Sequence, residues 1–248
     1  MSETVTAAML VIGDEILSGR TKDRNVGHLA EVMPAIGIDL REVRMIGDDV
    51  STISRHVRDL SSAYTYLFTT GGIGPTHDDK TADGVSAAFD RPCIHDPRAH
   101  ERLATFYRSR DLPFTKARQR MTRMPEGADL IDNPVSVAPG FRIRNVHVFA
   151  GIPKVFQAML DEVVPTLQTG TPLLSRAVPC PHGEGDIGGP LATVQDNHPD
   201  VMLGSYPRYE DGRFSVEIVL RARDPAALDA AEDEVRQMLA ELDNERDT

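Results

Sequence analysis

The sequence predicts an α/β protein: a doubly wound, mostly parallel sheet followed by a small α+β domain. Three observations carry that reading. Over the first 90 residues, short apolar runs closed by glycine or acidic residues alternate with stripes at helical spacing. The pattern breaks at Gly170-Thr171-Pro172, and a shorter strand-and-helix region follows. The 248 residues are 40% apolar and 26% charged, enough apolar content for a packed core.

Each element has its own signal. Residues 7–12 are an apolar run stopped by Gly13, the mark of a strand covered on both faces. Val26, Leu29, Ala30, Met33 and Ile36 then recur at helical spacing, with Asp23 as a possible N-cap and Gly37 as the stop. A second strand, 39–46, ends in Gly47-Asp48-Asp49, and Ile53, Val57 and Leu60 form the next helical stripe, with Ser51 near its start. A third strand, 64–70, ends in Gly71-Gly72-Ile73-Gly74, and Thr81, Val85 and Phe89 mark the helix after it. Strand–helix units in this order imply right-handed crossovers between parallel neighbours.

Asp96-Pro97 pairs a capping side chain with a proline at the first helical position, opening a helix to about residue 110. Residues 115–123 read as a basic segment, with Lys116, Arg120 and Arg123 on one face of an exposed helix and Arg118 nearby. Two strands, 141–144 and 146–149, and a helix opened by Pro153 complete the first domain, residues 1–170. In residues 171–248 the expected elements are a strand at 176–178, a glycine-rich stretch, a helix at 191–195, and strands 201–206 and 214–222 joined by a turn at Glu210-Asp211-Gly212. A helix over 225–242 follows. Met9, Met33, Met45 and Met159 are expected in the core.

Composition excludes several functions. Lys plus Arg total 27 and Asp plus Glu total 38, so the formal charge is 27 − 38 = −11, against the basic face that nucleic-acid binding needs. With no Trp and 5% aromatic residues, a base-stacking platform is unsupported. Cys93 and Cys180 stand far apart, and the histidines lack zinc-binding spacing. The N-terminal apolar run is short, lacks a basic flank and ends in acids, unlike a signal peptide, and no run approaches membrane-spanning length. The expectation is a cytoplasmic protein. Gly183-Glu184-Gly185-Asp186-Ile187-Gly188 matches a dinucleotide fingerprint by letters, but prolines break the strand before it and its acids would repel a pyrophosphate.

The chemistry concentrates at the ends of the first three strands. Their loops carry Asp14 and Glu15, Asp48 and Asp49, and Asp78 and Asp79. In an open parallel sheet, ligands bind outside those ends where the strand order reverses. Acids gathered there repel one another unless a cation relieves them, and Mg²⁺ or another hard divalent ion suits oxygen ligands and a phosphate partner. The third loop, Thr70-Gly71-Gly72-Ile73-Gly74-Pro75-Thr76-His77-Asp78-Asp79-Lys80, adds backbone amides that an anion can approach, hydroxyls on Thr70 and Thr76, and the Lys80 cation. It lacks the Gly-Lys-Ser/Thr of a nucleotide-triphosphate loop. His77 has two open readings, a phosphate contact or a solvated loop residue.

These motifs resemble a known family. Gly13-Asp14-Glu15-Ile16-Leu17-Ser18-Gly19, Asn25, Gly47-Asp48-Asp49, the glycine loop through Asp79, Ala138-Pro139-Gly140-Phe141 and Gly151-Ile152-Pro153 occur in the order of the molybdopterin-binding-like domain. The nearest type is the N-terminal part of competence/damage-inducible protein A (CinA), without its deamidase domain. The resemblance implies a three-layer α/β domain that binds a nucleotide- or pterin-phosphate, a KH-like second domain of structural or oligomerising role, and a homo-oligomer, dimer or trimer. It implies metal ligation by Asp14, Glu15 and Asp78, catalysis by Asp79, Asp78 and Asp48, and substrate contacts from Gly13, Asn25, Thr70, Gly71, Gly72, Gly74, Thr76 and Lys80. Two stretches depart from the family: Ser136-Val137 where it tends to carry glycine, and Lys154-Val155-Phe156 where it carries an acid. Three functions fit: metal-dependent hydrolysis of a nucleotide diphosphate, with Asp79 as the preferred base; binding or adenylylation of molybdopterin; and a non-catalytic ligand-binding module.

Overall fold

The computed structural model describes residues 4–210 and 213–246. The chain divides into two compact units, with the boundary between Gly170 and Thr171. In the first unit the strands are β1 (Thr6–Ile12), β2 (Asp39–Ile46), β3 (Tyr66–Thr70), β4 (Cys93–His95), β5 (Arg123–Pro125), β6 (Asp129–Ile131), β7 (Gly140–Ile143) and β8 (Val146–Phe149). Its helices are α1 (Asp14–Leu17), α2 (Asn25–Ala35), α3 (Val50–Ala63), α4 (Thr81–Ala88), α5 (Pro97–Arg108), α6 (Lys116–Gln119) and α7 (Pro153–Val163).

Six strands form the main sheet in the order β2-β1-β3-β8-β7-β6. The first four run parallel, β7 runs antiparallel to β8, and β6 runs antiparallel to β7 and so along the first four. The apolar runs explain the arrangement. Residues 7–12 of β1 are all buried, so this strand needs helices on both faces. One apolar layer joins Leu10, Ile12, Ile53, Val57, Leu60 and Val85, uniting the sheet with α3 and α4. The other joins Met9, Val11, Leu29, Met33, Phe156 and Met159, uniting it with α2 and α7. The result is three layers. From β1 the chain steps to β2 on one side and to β3 on the other, so the strand order reverses at β1 and β3.

The second unit contains β9 (Leu174–Cys180), α8 (Glu184–Asn197), β10 (Met202–Glu210), β11 (Arg213–Ala222) and α9 (Pro225–Arg246). Its antiparallel sheet, ordered β10-β11-β9, packs its own core of Val178, Ile218, Leu220, Leu228, Ala231 and Val235. Asp211 and Gly212 of the expected turn lie outside the described residues.

Three expectations change. The helix expected at 191–195 takes in the glycine-rich stretch: residues 184–197 are one helix, held by buried Ile187 and Val194 despite three glycines and Pro190. Residues 115–123 are not one helix: α6 gives way to a 3-10 turn at Arg120–Thr122 and then to β5. Met45 is 46% exposed, because β2 is the edge of the sheet and only one face of its end is covered.

Candidate functional site

The three acidic loops meet at one edge of the sheet. After β1 the chain turns at Gly13, whose N–H donates to the Ile46 carbonyl at 3.0 Å, tying the first loop to the end of β2. The Asp14 N–H then donates to Asp48 Oδ2 at 2.9 Å. Asp14's carboxylate fills the space a side chain would need at Gly47, and Glu15's folds back over Gly13. Asp48 lies beside Gly72, so carboxylates from the first two loops border the turn of the third.

Asp48 records this crowding. Partial burial raises its pKa above the usual carboxylate range, the Asp14 N–H opposes the rise, and the charges of Asp14, Glu15 and Asp78 add to it. Asp78 behaves oppositely: exposed to water, it is lowered by the Thr76 hydroxyl and by its own backbone N–H. Asp49 turns away to cap α3, accepting from the Thr52 N–H at 2.8 Å and the Ser51 hydroxyl at 2.7 Å, and is pulled down to about 2.

The glycine turn is built by close approach. Gly71 has φ +98° and packs against the Ile12 carbonyl, and Gly72 has φ +66°, so neither position admits a side chain. Thr81 pins both: its hydroxyl donates to the Gly71 carbonyl at 2.9 Å and its N–H to the Gly72 carbonyl at 3.0 Å. The Gly71 N–H continues the ladder to Phe149 at 3.1 Å. Asp79 closes the rest of the turn, accepting from the Gly74 N–H at 2.7 Å, the Thr76 N–H at 2.7 Å and the Thr76 hydroxyl at 2.6 Å.

These contacts reassign several expected roles. Both oxygens of Asp79, the expected base, accept hydrogen bonds within the turn, so in this structure Asp79 shapes the loop. The Gly71 and Gly74 amides and the Thr76 hydroxyl are likewise used internally. Among the described residues, the Gly72 and Ile73 N–H groups carry no partner. Thr70 is 2% exposed, and its hydroxyl donates to the Ala150 carbonyl at 3.1 Å. Asn25, also 2% exposed, donates to Thr70 Oγ1 and to the Gly151 carbonyl, each at 2.9 Å, and so ties α2 to the ends of β3 and β8. Its Oδ1 is buried without a partner. Asn25, Thr70, Gly71, Gly151 and Glu15 line a cavity of about 50 Å³, room for a water or two. Lys80 precedes α4, close enough to Asp49 and Asp78 for its charge to lower both. His77 is almost fully exposed, 3.9 Å from Asp78, as a solvated loop residue would be.

Arg120, expected on the face of an exposed helix, reaches the glycine loop instead. Its guanidinium donates to the carbonyls of Thr76 at 2.8 Å and Asp79 at 3.0 Å. Arg123 pairs with Asp83 in the first turn of α4. The basic segment therefore braces the glycine loop. In the structure Arg123 alone alternates with buried neighbours, Thr122 and Met124, as the strand β5 requires.

A doubly wound α/β domain with acidic loops around a glycine turn at its switch point is the class that fold and site define. Over residues 8–169 the chain belongs to the probable molybdopterin binding domain family, and residues 172–245 match the FAD synthase middle domain. It is similar to a probable FAD synthase of Caenorhabditis elegans, 32% identical over 272 residues, covering 97% of this chain and 51% of that protein. A CinA-like protein of Desulfosudis oleivorans is 36% identical over 170 residues, covering 66% of this chain and 41% of that protein. The chain spans about half the length of the FAD synthase relatives it matches. Among solved structures, CinA of Thermoplasma acidophilum, described as of unknown function, superposes with a TM-score of 0.58 at 28% identity, covering 65% of this chain and 98% of that one. No described helix is long and apolar enough to cross a membrane.

Proposed function

We propose that the chain hydrolyses the diphosphate linkage of an ADP-ribose- or FAD-like substrate with a divalent cation. The observation that carries the reading is the meeting of the loops at Asp48: it accepts the Asp14 N–H at 2.9 Å and lies beside Gly72, next to the two unpaired amides of the glycine turn, with Asp14, Glu15 and Asp78 near enough for their charges to act on it. Such an acidic field repels a bare diphosphate and accepts one neutralised by a hard cation. Among the described residues, no three acidic, histidine or cysteine side chains converge as a ready metal cage. The expected trio of Asp14, Glu15 and Asp78 is thus not gathered as one cage, and a magnesium ion here would rest on one or two carboxylates together with substrate phosphates. Asp14 and Asp78 would hold it, and its chemistry there is neutralisation of phosphoryl charge.

The chain's own groups do the rest. The Gly72 and Ile73 N–H groups bind a phosphoryl oxygen and stabilise charge developing on it. Asp48 accepts a proton from the attacking water. Water oxygen bonds to phosphorus, the anhydride P–O bond breaks, and two phosphomonoesters leave. Lys80 offsets the charge on the departing one.

Two relatives named as FAD synthases support a nucleotide ligand, and the family's description supports a pterin one. The test is AMP release from ADP-ribose or FAD with Mg²⁺ or Mn²⁺, followed by chromatography. Asp48→Asn is expected to slow release by about 100-fold or more. No AMP from either substrate with either metal would overturn hydrolysis, and pterin fluorescence copurifying with the chain would put molybdopterin binding in its place.

A further inference from the structure

We propose that Arg120 is a positioning residue that holds the 74–79 turn in shape and, through it, the neighbouring Gly72–Ile73 amides that would meet an anion. The inference rests on the hydrolytic reading only for its ligand arm. Within the turn the Asp79 N–H donates to the Thr76 carbonyl at 3.4 Å, a long bond, and Pro75 contributes no donor, so side chains carry much of its form. Asp79 takes up its donors: the N–H groups of Gly74 and Thr76 and the Thr76 hydroxyl. Arg120 takes up two of its acceptors, the carbonyls of Thr76 and Asp79, which bracket His77 and Asp78. A carboxylate inside the turn and a guanidinium outside it thus fix the same six residues through opposite chemistry.

Arg120 is itself held. It begins the 3-10 turn in which Thr122 Oγ1 donates to the Gln119 carbonyl at 2.8 Å and lies 2.8 Å from His95 Nδ1. Three residues on, Arg123 grips Asp83 at the start of α4. The excursion between α4 and β6 therefore clasps the glycine loop at two points, one before α4 and one in its first turn. The planar fork of Arg reaches two carbonyls at once, whereas a lysine ammonium is a point charge on a flexible stem.

Two substitutions separate geometry from charge. Arg120→Lys keeps the cation and loses the fork, and Arg120→Met loses both. In the ¹⁵N-labelled full chain without ligand, both are expected to speed amide exchange at Gly74 and Thr76 at least tenfold, leaving Leu10 in β1 unchanged. Both are expected to weaken binding of ADP-ribose with Mg²⁺ at least tenfold. Wild-type behaviour of Arg120→Lys in exchange and binding would make charge, not positioning, the residue's role and overturn the inference. Loss of protection at Leu10 as well would reduce Arg120 to general stability and also overturn it. If the wild type binds no ADP-ribose, the hydrolytic reading falls while the exchange measurement still decides Arg120.

Discussion

His147 is the least comfortable residue in the first unit. It is 2% exposed, packed 5.4 Å from the Phe68 ring and 5.8 Å from Tyr66, and neither ring nitrogen has a partner. Burial, reinforced by the charge of Arg142, pushes its pKa down to about 4. An unfolded histidine titrates near 6.5, so the unfolded chain binds the extra proton between those values. Stability is then fully present above pH 6.5 and is lost as pH falls towards 4. Between pH 7 and 5 this amounts to about 2 kcal/mol. Urea unfolding of the wild type is expected to lose about that much more than His147→Phe over the same interval, and parallel pH profiles would refute it. The same scale shows what sequence could not resolve. Asp78 and Asp79 are adjacent acids in one motif, yet one faces water and the other ties up Gly74 and Thr76. Only the path of the turn decides which carboxylate is free.

The elements show how packing overrides local preference. Gly84 sits inside α4, where an alanine would ordinarily favour the helix by about 1 kcal/mol. A methyl group there would run into Ile53 of α3, so Gly84→Ala is expected to destabilise by about 1–3 kcal/mol. Gly188 in α8 is exposed with open space around it, and Gly188→Ala is expected to stabilise by about 0.5–1 kcal/mol. Thermal unfolding of the two variants checks the pair, and shifts of the same sign would contradict it. Most first-unit elements were legible because their apolar spacing repeats what buried strands and amphipathic helices require. The helix at 184–197 was legible only over 191–195, since glycine and proline argue against its first half locally and Ile187 and Val194 commit it through contacts made after folding. The short β4–β5 pair escaped for a related reason: three-residue strands carry too little periodicity to read.

At the scale of the whole chain, each unit has its own apolar core, and the first has two, one on each face of its sheet. Each core is large enough to predict independent folding. A fragment of residues 1–170 is expected to unfold cooperatively and to bind ADP-ribose with Mg²⁺ as the full chain does. An unfolded fragment, or one whose affinity falls more than tenfold, would show that the second unit contributes to the site.

By itself the sequence determined the alternation of strands and helices, the division near residue 170 and the placement of acids and glycines at the strand ends, because each follows from local periodicity and from residues that stop an element. Only the tertiary structure decided which groups remain available. Asp79, Thr70 and Asn25 became internal ties, Asp48 became the partly buried carboxylate among other acids, and Arg120 entered from a distant segment. Hydrogen-bond partners and desolvation depend on what other parts of the chain bring to the same place.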